Sequence, residues 1–393
     1  MEEEFKSTNR KIATNMYLYT LFIYFVYSFL NTTMFTSYLS SNINRALKYM
    51  VVVCVFVVVM KVIIFDRFKY KELLMLLPLT ILMIYIAYKS GDFLPATVFT
   101  FIVGAKEVEF RRILNIYIYS AIILSLITIF SSKIGLIENL TYFRGNTLRE
   151  AWGFVYPTNF SAHIFYIIAA IALKKENKVT YIEIILFFVI SIFVNHITDT
   201  RLDFIASIIV IFSISFIKLF KINEKKFILT NKNLLKLWAV LAPLGVTALT
   251  IEYSVNNHLL NIINSLLSNR LYFGNMAYSE YGVSIFGQKI IQQGFGGESG
   301  QLGAMNTLIN FKYSYIDSSF FRAFMMYGCL FFVILVVTNY FVMKKIINSG
   351  NIIPVIIFSV TIACSMIDQH FLEIAYNPML LVVCSCIDKE VNS

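Results

Sequence analysis

Runs of nearly unbroken apolar side chains recur along the whole chain, and they constrain its fold more than any other feature. They lie near 16–36, 46–65, 71–88, 92–105, 113–132, 159–173, 181–198, 202–220, 235–255, 319–343, 352–369 and 373–387. A helix crosses the hydrocarbon core of a bilayer with about 20 apolar residues. About twelve spanning helices are therefore expected, the fourth and twelfth short enough to be re-entrant. Hydrophobic residues make up 58% of the 393 and charged residues only 14%. A soluble domain is nearer half and a quarter, and no soluble fold of this length has interior enough for the excess. Soluble, disordered, fibrous and disulfide-scaffold classes are excluded. The expected fold class is all-α: a polytopic integral membrane protein with one transmembrane domain over 1–393 and a long outer loop between spans nine and ten.

The net charge of +10 informs through its distribution. With the N-terminus in the cytoplasm, the inside segments hold about two thirds of the 33 lysines and arginines, among them Lys6, Arg10, Lys61, Arg67, the lysines from 218 to 236, and Lys389. That is the positive-inside pattern, and it gives an expected N-in, C-in topology. The opening MEEEFKSTNRK leads into an apolar run without a cleavage-site pattern, so the first span is expected to remain as an anchor. The inside loops are short and carry no Gly-rich phosphate loop or dinucleotide fingerprint. No cofactor and no nucleic-acid partner is expected. The five cysteines lie in apolar runs, where sulfur serves as a small hydrophobe. The four histidines are too scattered for a metal site.

Two outer segments stand apart, 133–158 and 256–318. The second is long for a connection without a function. Leu259, Leu260, Ile262, Ile263, Leu266 and Leu267 form an apolar stripe suited to the outer interface. The following GFGGESGQLG (294–303) reads as mobile backbone.

Arginine on the outer side opposes positive-inside insertion, so each one asks for a reason. Arg144 and Arg149 lie in the first segment, Arg201 between Asp199 and Asp203, Arg270 in the long loop, and Arg322 at the start of the tenth span. Singly, each has a plain reading: Arg201 pairs with Asp199 or Asp203, and Arg144 and Arg149 are solvated beside Glu150. Together they suggest an anionic ligand, because guanidinium stays charged and forks onto phosphate oxygens. A lipid-linked phosphate or pyrophosphate suits such a position. Asp317 is either a cap on the tenth span or a carboxylate with chemistry to do. His370 and Glu373 share a helical face, and intramembrane ionisable groups are functional candidates. Trp152, Tyr281, Tyr313 and Tyr315 either stack on sugar faces or belong to the interfacial aromatic belt.

The segment from Arg144-Gly145-Asn146 through Arg149 to Tyr156-Pro157-Thr158-Asn159 resembles the first outer loop of Gram-positive Wzy-type polysaccharide polymerases. Thr198-Asp199-Thr200-Arg201 is similar to the span-start signature of the wider O-antigen polymerase and ligase superfamily. Asn269-Arg270-Leu271 with Tyr281-Gly282, Phe286-Gly287 and Gly294 resembles the long outer loop of such polymerases, and Asp317-Ser318-Ser319-Phe320 with Tyr327-Gly328 resembles the element that opens a late span. The likeness covers roughly 140–390. Relatives often carry histidine at the position of Tyr156 and asparagine at that of Thr158, and the ligase branch carries histidine at that of Asp317.

The resemblance implies a membrane glycosyltransferase, metal-independent, for capsule, exopolysaccharide or O-antigen biosynthesis in the bacterial cytoplasmic membrane. Such an enzyme moves the growing glycan from undecaprenyl pyrophosphate to a sugar hydroxyl of the next lipid-linked oligosaccharide. Arg201 and Arg270 would then hold the departing pyrophosphate, and Asp317 would be the base. Arg144, Arg149, Tyr156, Arg322, His370 and Glu373 would bind substrate. Membrane lipid, a chain-length regulator and a flippase are the implied partners. The alternatives are a flippase or transporter of the same lipid-linked oligosaccharide, or a ligase-like glycan transferase. The long arginine-bearing outer loop argues against the first and the missing histidine against the second.

Overall fold

The computed structural model describes residues 2–66, 68–305 and 311–387, with side chains from residue 8 onward. Arg67 and Lys389, two of the inside cations, and 306–310 of the long loop lie outside the described residues, as does the C-terminal end from 388.

Helix dominates, and the described strands form one two-stranded hairpin. Among the described residues, eight helices are long and apolar enough to cross a membrane: Thr8–Leu30, Ser41–Ile64, Tyr70–Ser90, Phe110–Lys133, Tyr181–Thr198, Arg201–Phe220, Glu224–Ile251 and Ser319–Ser349. The twelve expected spans are not all reproduced. Leu94–Gly104 has 11 residues and Ile352–Ser365 has 14, which at about 1.5 Å per residue fall short of a bilayer core. The run at 373–387 is turns around a 3₁₀ segment, Met379–Val383. Its apolar side chains are buried in protein and not presented to lipid.

The chain divides into two compact units. The first comprises 1–79, 97–208 and 373–393. Its central helix, Pro157–Lys175 (19 residues), is buried on nearly every face, which the small side chains of Ser161, Ala162, Ala169, Ala170 and Ala172 permit. His163 on that helix is fully buried. Its ring stacks on Tyr376 with centroids 4.1 Å apart, and Nε2 lies 2.9 Å from Oγ1 of Thr32. It is a buried core residue. Lys61, counted above as a loop cation, is 1% exposed. Its ammonium donates to Asp66 at 2.8 Å, to the Gly104 carbonyl at 2.9 Å and to the Lys106 carbonyl at 2.8 Å. Burial pushes the Asp66 carboxyl up to about 6, against the pull of Lys61.

The second unit comprises 80–96 and 209–372. Glu224–Ile251 packs along Gly328–Ser349 and Ile352–Ser365. The helix Ser319–Ser349 is interrupted by a π turn, Ala323–Tyr327. There the loop 284–288 docks onto it. The amide of Gln288 donates to the Met326 carbonyl at 2.9 Å, and those of Cys329 and Leu330 donate to the carbonyls of Ser284 and Ile285 at 3.0 and 3.2 Å. The close approach requires glycine on both sides. A Cβ on Gly287 would lie 2.6 Å from the Met326 oxygen, and one on Gly328 would lie 2.4 Å from the Gly287 nitrogen. The glycine-rich stretch expected to be mobile is instead partly helical, Gly297–Ala304. Its glycines serve contact: a Cβ on Gly300 would strike the Phe295 backbone at 2.4 Å.

Candidate functional site

In the first unit the arginines are placed by a β-hairpin, Thr141–Arg144 paired antiparallel with Thr147–Glu150. Gly145 takes φ +58° at the first position of its two-residue turn, where a II′ hairpin turn places glycine. Tyr142 pairs with Arg149. Alternation along the strand brings Arg144 to that same face. The opposite face carries exposed Phe143 and Leu148. Arg149 is only 3% exposed. Its Nε donates to the Thr198 carbonyl at 2.7 Å and its Nη1 to the Tyr156 hydroxyl at 3.4 Å, with the guanidinium 5.4 Å from the Tyr156 ring centre. Its Nη2 is buried with no hydrogen-bond partner among the described residues. The Tyr156 ring meets Tyr142 edge-on at 4.6 Å.

These contacts converge where two helices join. Tyr181–Thr198 ends on Asp199, which adopts the left-handed conformation at φ +44°. Arg201–Phe220 starts two residues later with Arg201 exposed. Arg144 donates to the Asp199 carbonyl at 2.6 Å and to its carboxylate at 3.3 Å. The ion-pair partner of Asp199 is thus Arg144, and the local pair with Arg201 does not form. Burial, then the nearby charge of Arg149, lowers the pKa of Arg144 from its ordinary value; Asp199 opposes this and Arg201 adds to it. Arg144 therefore feels the charge of both other guanidinium groups. A helix N-terminus next to three such groups favours an anion.

The second unit gathers a different set. Arg270, at the start of Arg270–Tyr281, lies 3.7 Å from the Asp317 carboxylate and also donates to the Ser268 carbonyl at 3.1 Å. Tyr313 donates to Asp317 at 2.8 Å. Burial pushes the Asp317 carboxyl up, opposed by Arg270 and Tyr313. The cap on the late helix is Ser318, whose hydroxyl accepts from the Phe321 amide at 3.4 Å, so Asp317 is not that cap. Arg322 donates to the Tyr315 hydroxyl at 2.9 Å and to the Gln369 side chain at 3.1 Å.

His370 and Glu373 do not share a helical face. Ile352–Ser365 ends at the Met366 cap, because the backbone beyond is taken by tertiary bonds: Asp368 O accepts from the Ser319 amide at 3.0 Å, and the Phe371 amide donates to the Ser319 hydroxyl at 3.1 Å. His370 is buried with Nε2 3.5 Å from Asp368. The Glu373 carbonyl closes a turn with Tyr376 and Asn377 in the first unit. Trp152 is no open sugar platform. Its ring stacks on Phe160 at 5.7 Å, Lys133 lies 3.9 Å over it, and its Nε1 donates to Glu150 at 2.8 Å. Sequence reasoning missed Tyr313, Gln369 and the Thr198 carbonyl as partners of the charged groups. The Thr198 carbonyl has no signal in sequence; Tyr313, four residues before Asp317, had a weak one.

No protein-family model matches the chain, and neither does any curated protein or solved structure.

Proposed function

We propose that the chain is a Wzy-type polymerase that joins undecaprenyl-pyrophosphate-linked oligosaccharide repeat units at the outer face of the bacterial cytoplasmic membrane, with both termini inside. One observation supports the reading: Arg144, Arg149 and Arg201 gather at one helix junction, with a buried guanidinium nitrogen that has no acceptor among the described residues. The short helices Leu94–Gly104 and Ile352–Ser365 and the helix Pro157–Lys175 are the remaining membrane-embedded segments in this reading.

In this reaction the acceptor hydroxyl oxygen forms a bond to the anomeric carbon of the donor glycan, and the anomeric carbon–oxygen bond to the diphosphate breaks with its electron pair. Charge grows on the departing diphosphate, and fixed cations stabilise it without needing to reorganise. Arg144, Arg149 and Arg201 take that role. The hydroxyl proton needs a base, and Asp317, in the second unit beside Arg270, is proposed for it independently of the arginine cluster. Arg270, paired with Asp317, is assigned to keeping that carboxyl ionised in place of the pyrophosphate contact expected above. Arg322, fixed by Tyr315 and Gln369, orients the acceptor unit.

Arg201→Ala should cut long-chain formation about a hundredfold and leave single repeat units on lipid, resolved by gel electrophoresis of lipid-linked glycans. Arg201→Lys should restore part of it, since charge returns without the fork. Chains of normal length from Arg201→Ala overturn the assignment. The base makes a separate prediction. Asp317 must be ionised to accept a proton, and burial raises its pKa, so the acid limb of kcat/KM should lie above the ordinary carboxylate range. Because Arg270 holds that pKa down, Arg270→Ala should move the limb to still higher pH. An unmoved limb removes Asp317 from the role.

A further inference from the structure

One end of the second unit is strongly basic. Six lysines lie between 218 and 236, at the close of Arg201–Phe220 and on the first turns of Glu224–Ile251, and Lys344–Lys345 stand on the last turns of Gly328–Ser349. The helix ends meet: Glu224 accepts from the Ile352 amide at 3.1 Å, and a Cβ on Gly350 would sit 4.0 Å from Cε of Lys225. Across 209–251 and 323–367 the sequence contains one carboxylate, that same Glu224.

Helix length sets the depth of these lysines. Glu224–Ile251 has 28 residues, about 42 Å, against a hydrocarbon core of about 30 Å. Its apolar half is the later one, so about eight residues at the lysine-bearing start lie beyond the core. Lys232 then falls at the boundary and Lys236 about one turn inside it, from where a long cation snorkels outward. Exposed apolar side chains interleave with the cations: Leu219 and Phe220 are each 66% exposed, Leu229 63% and Leu234 65%. A soluble acidic protein meets the lysines and leaves those side chains in water. A phospholipid meets both.

We propose that this helix end is a binding surface for anionic phospholipid, with headgroup phosphates on the lysines and acyl chains along the exposed leucines and phenylalanines. Clustered cations beside a spanning helix attract anionic headgroups, and each one strengthens retention about fivefold.

To test it, the full-length protein in mild detergent is offered equal amounts of phosphatidylglycerol and phosphatidylcholine, and the retained lipids are counted by native mass spectrometry. The wild type should favour phosphatidylglycerol at least about tenfold at low salt, and the preference should collapse near 1 M NaCl. K225Q/K226Q/K232Q should bring the two lipids to about equal retention, since each charge carries about fivefold, and K225R/K226R/K232R should keep the preference. Equal retention of the two lipids by the wild type, a preference indifferent to salt, or an unchanged preference in the glutamine variant each overturn the proposal. If the glutamine variant does not fold, the salt series and the arginine variant decide. Binding of poly-glutamate with no lipid preference assigns the surface to a protein and also overturns it.

Discussion

On the proposed polymerase function, Arg149→Ala should abolish chain assembly, with a loss of about a thousandfold or more. Two effects combine. The substitution removes one of the fixed cations, a type of change that costs about a hundred- to a thousandfold by itself. It also releases the hairpin from the Thr198 carbonyl, which Arg149 holds at 2.7 Å, so Arg144 loses the strand that aims it at Asp199. A charged hydrogen bond of this kind contributes about 1.5–3 kcal/mol to stability, so the melting temperature should fall as well. Arg149→Lys separates the effects. It keeps the charge but cannot reach Thr198 and Tyr156 together, because ammonium is a point charge and guanidinium a planar fork. We expect near-normal expression with activity still reduced at least about tenfold, measured on the same ladder of lipid-linked glycans. Full activity in Arg149→Lys rules out the fork as the working element.

Lys61→Met should be the most destabilising single change in the first unit, at about 3–5 kcal/mol. The methionine fills the space and strands the Asp66 carboxylate, which has a side-chain exposure of 2%, without its cation. Lys61→Met with Asp66→Leu should recover most of the loss, since a packed apolar pair often matches a buried ion pair. Thermal unfolding in detergent measures both. Asp66 also predicts a pH dependence. Its folded pKa of about 6 exceeds its ordinary 3.8, so between these values the folded state binds the proton more tightly than the unfolded state. Stability should therefore rise as pH falls from 7 toward 4, and Asp66→Asn should flatten that slope. A double variant as unstable as Lys61→Met, or a pH slope indifferent to Asp66→Asn, excludes the buried pair as the cause.

The membrane class was legible because hydropathy reads the solvent directly. The span count was not, because an apolar run looks the same whether it faces lipid or protein. The run at 373–387 shows this: Tyr376, Leu380, Leu381 and Val382 are almost wholly buried, and Pro378, lacking a donor, breaks helix in their midst. The arginine cluster was partly legible. Gly145-Asn146 marks a hairpin turn, and period-two alternation then puts Arg144 and Arg149 on one face. The partner of Asp199 was not. Sequence proximity favoured Arg201, but the left-handed turn at Asp199 opens its carbonyl and carboxylate to Arg144, 55 residues earlier. The pairing of His370 with Glu373 failed because it assumed helical phase where the chain makes tertiary hydrogen bonds.

The π turn at Ala323–Tyr327 acts on the helix as a one-residue surplus. Each residue of an α-helix turns the side-chain direction by about 100°, so everything ahead of the surplus is rotated relative to an uninterrupted rod. The bearing of Arg322 toward Tyr315 and Gln369 thus depends on the turn that follows it, whose Met326 Sδ also accepts from the Arg322 Nε at 3.4 Å. Deleting one residue from 323–327 would restore a straight ladder and swing the guanidinium about a quarter-turn away, leaving every charged group in the sequence but not in its direction.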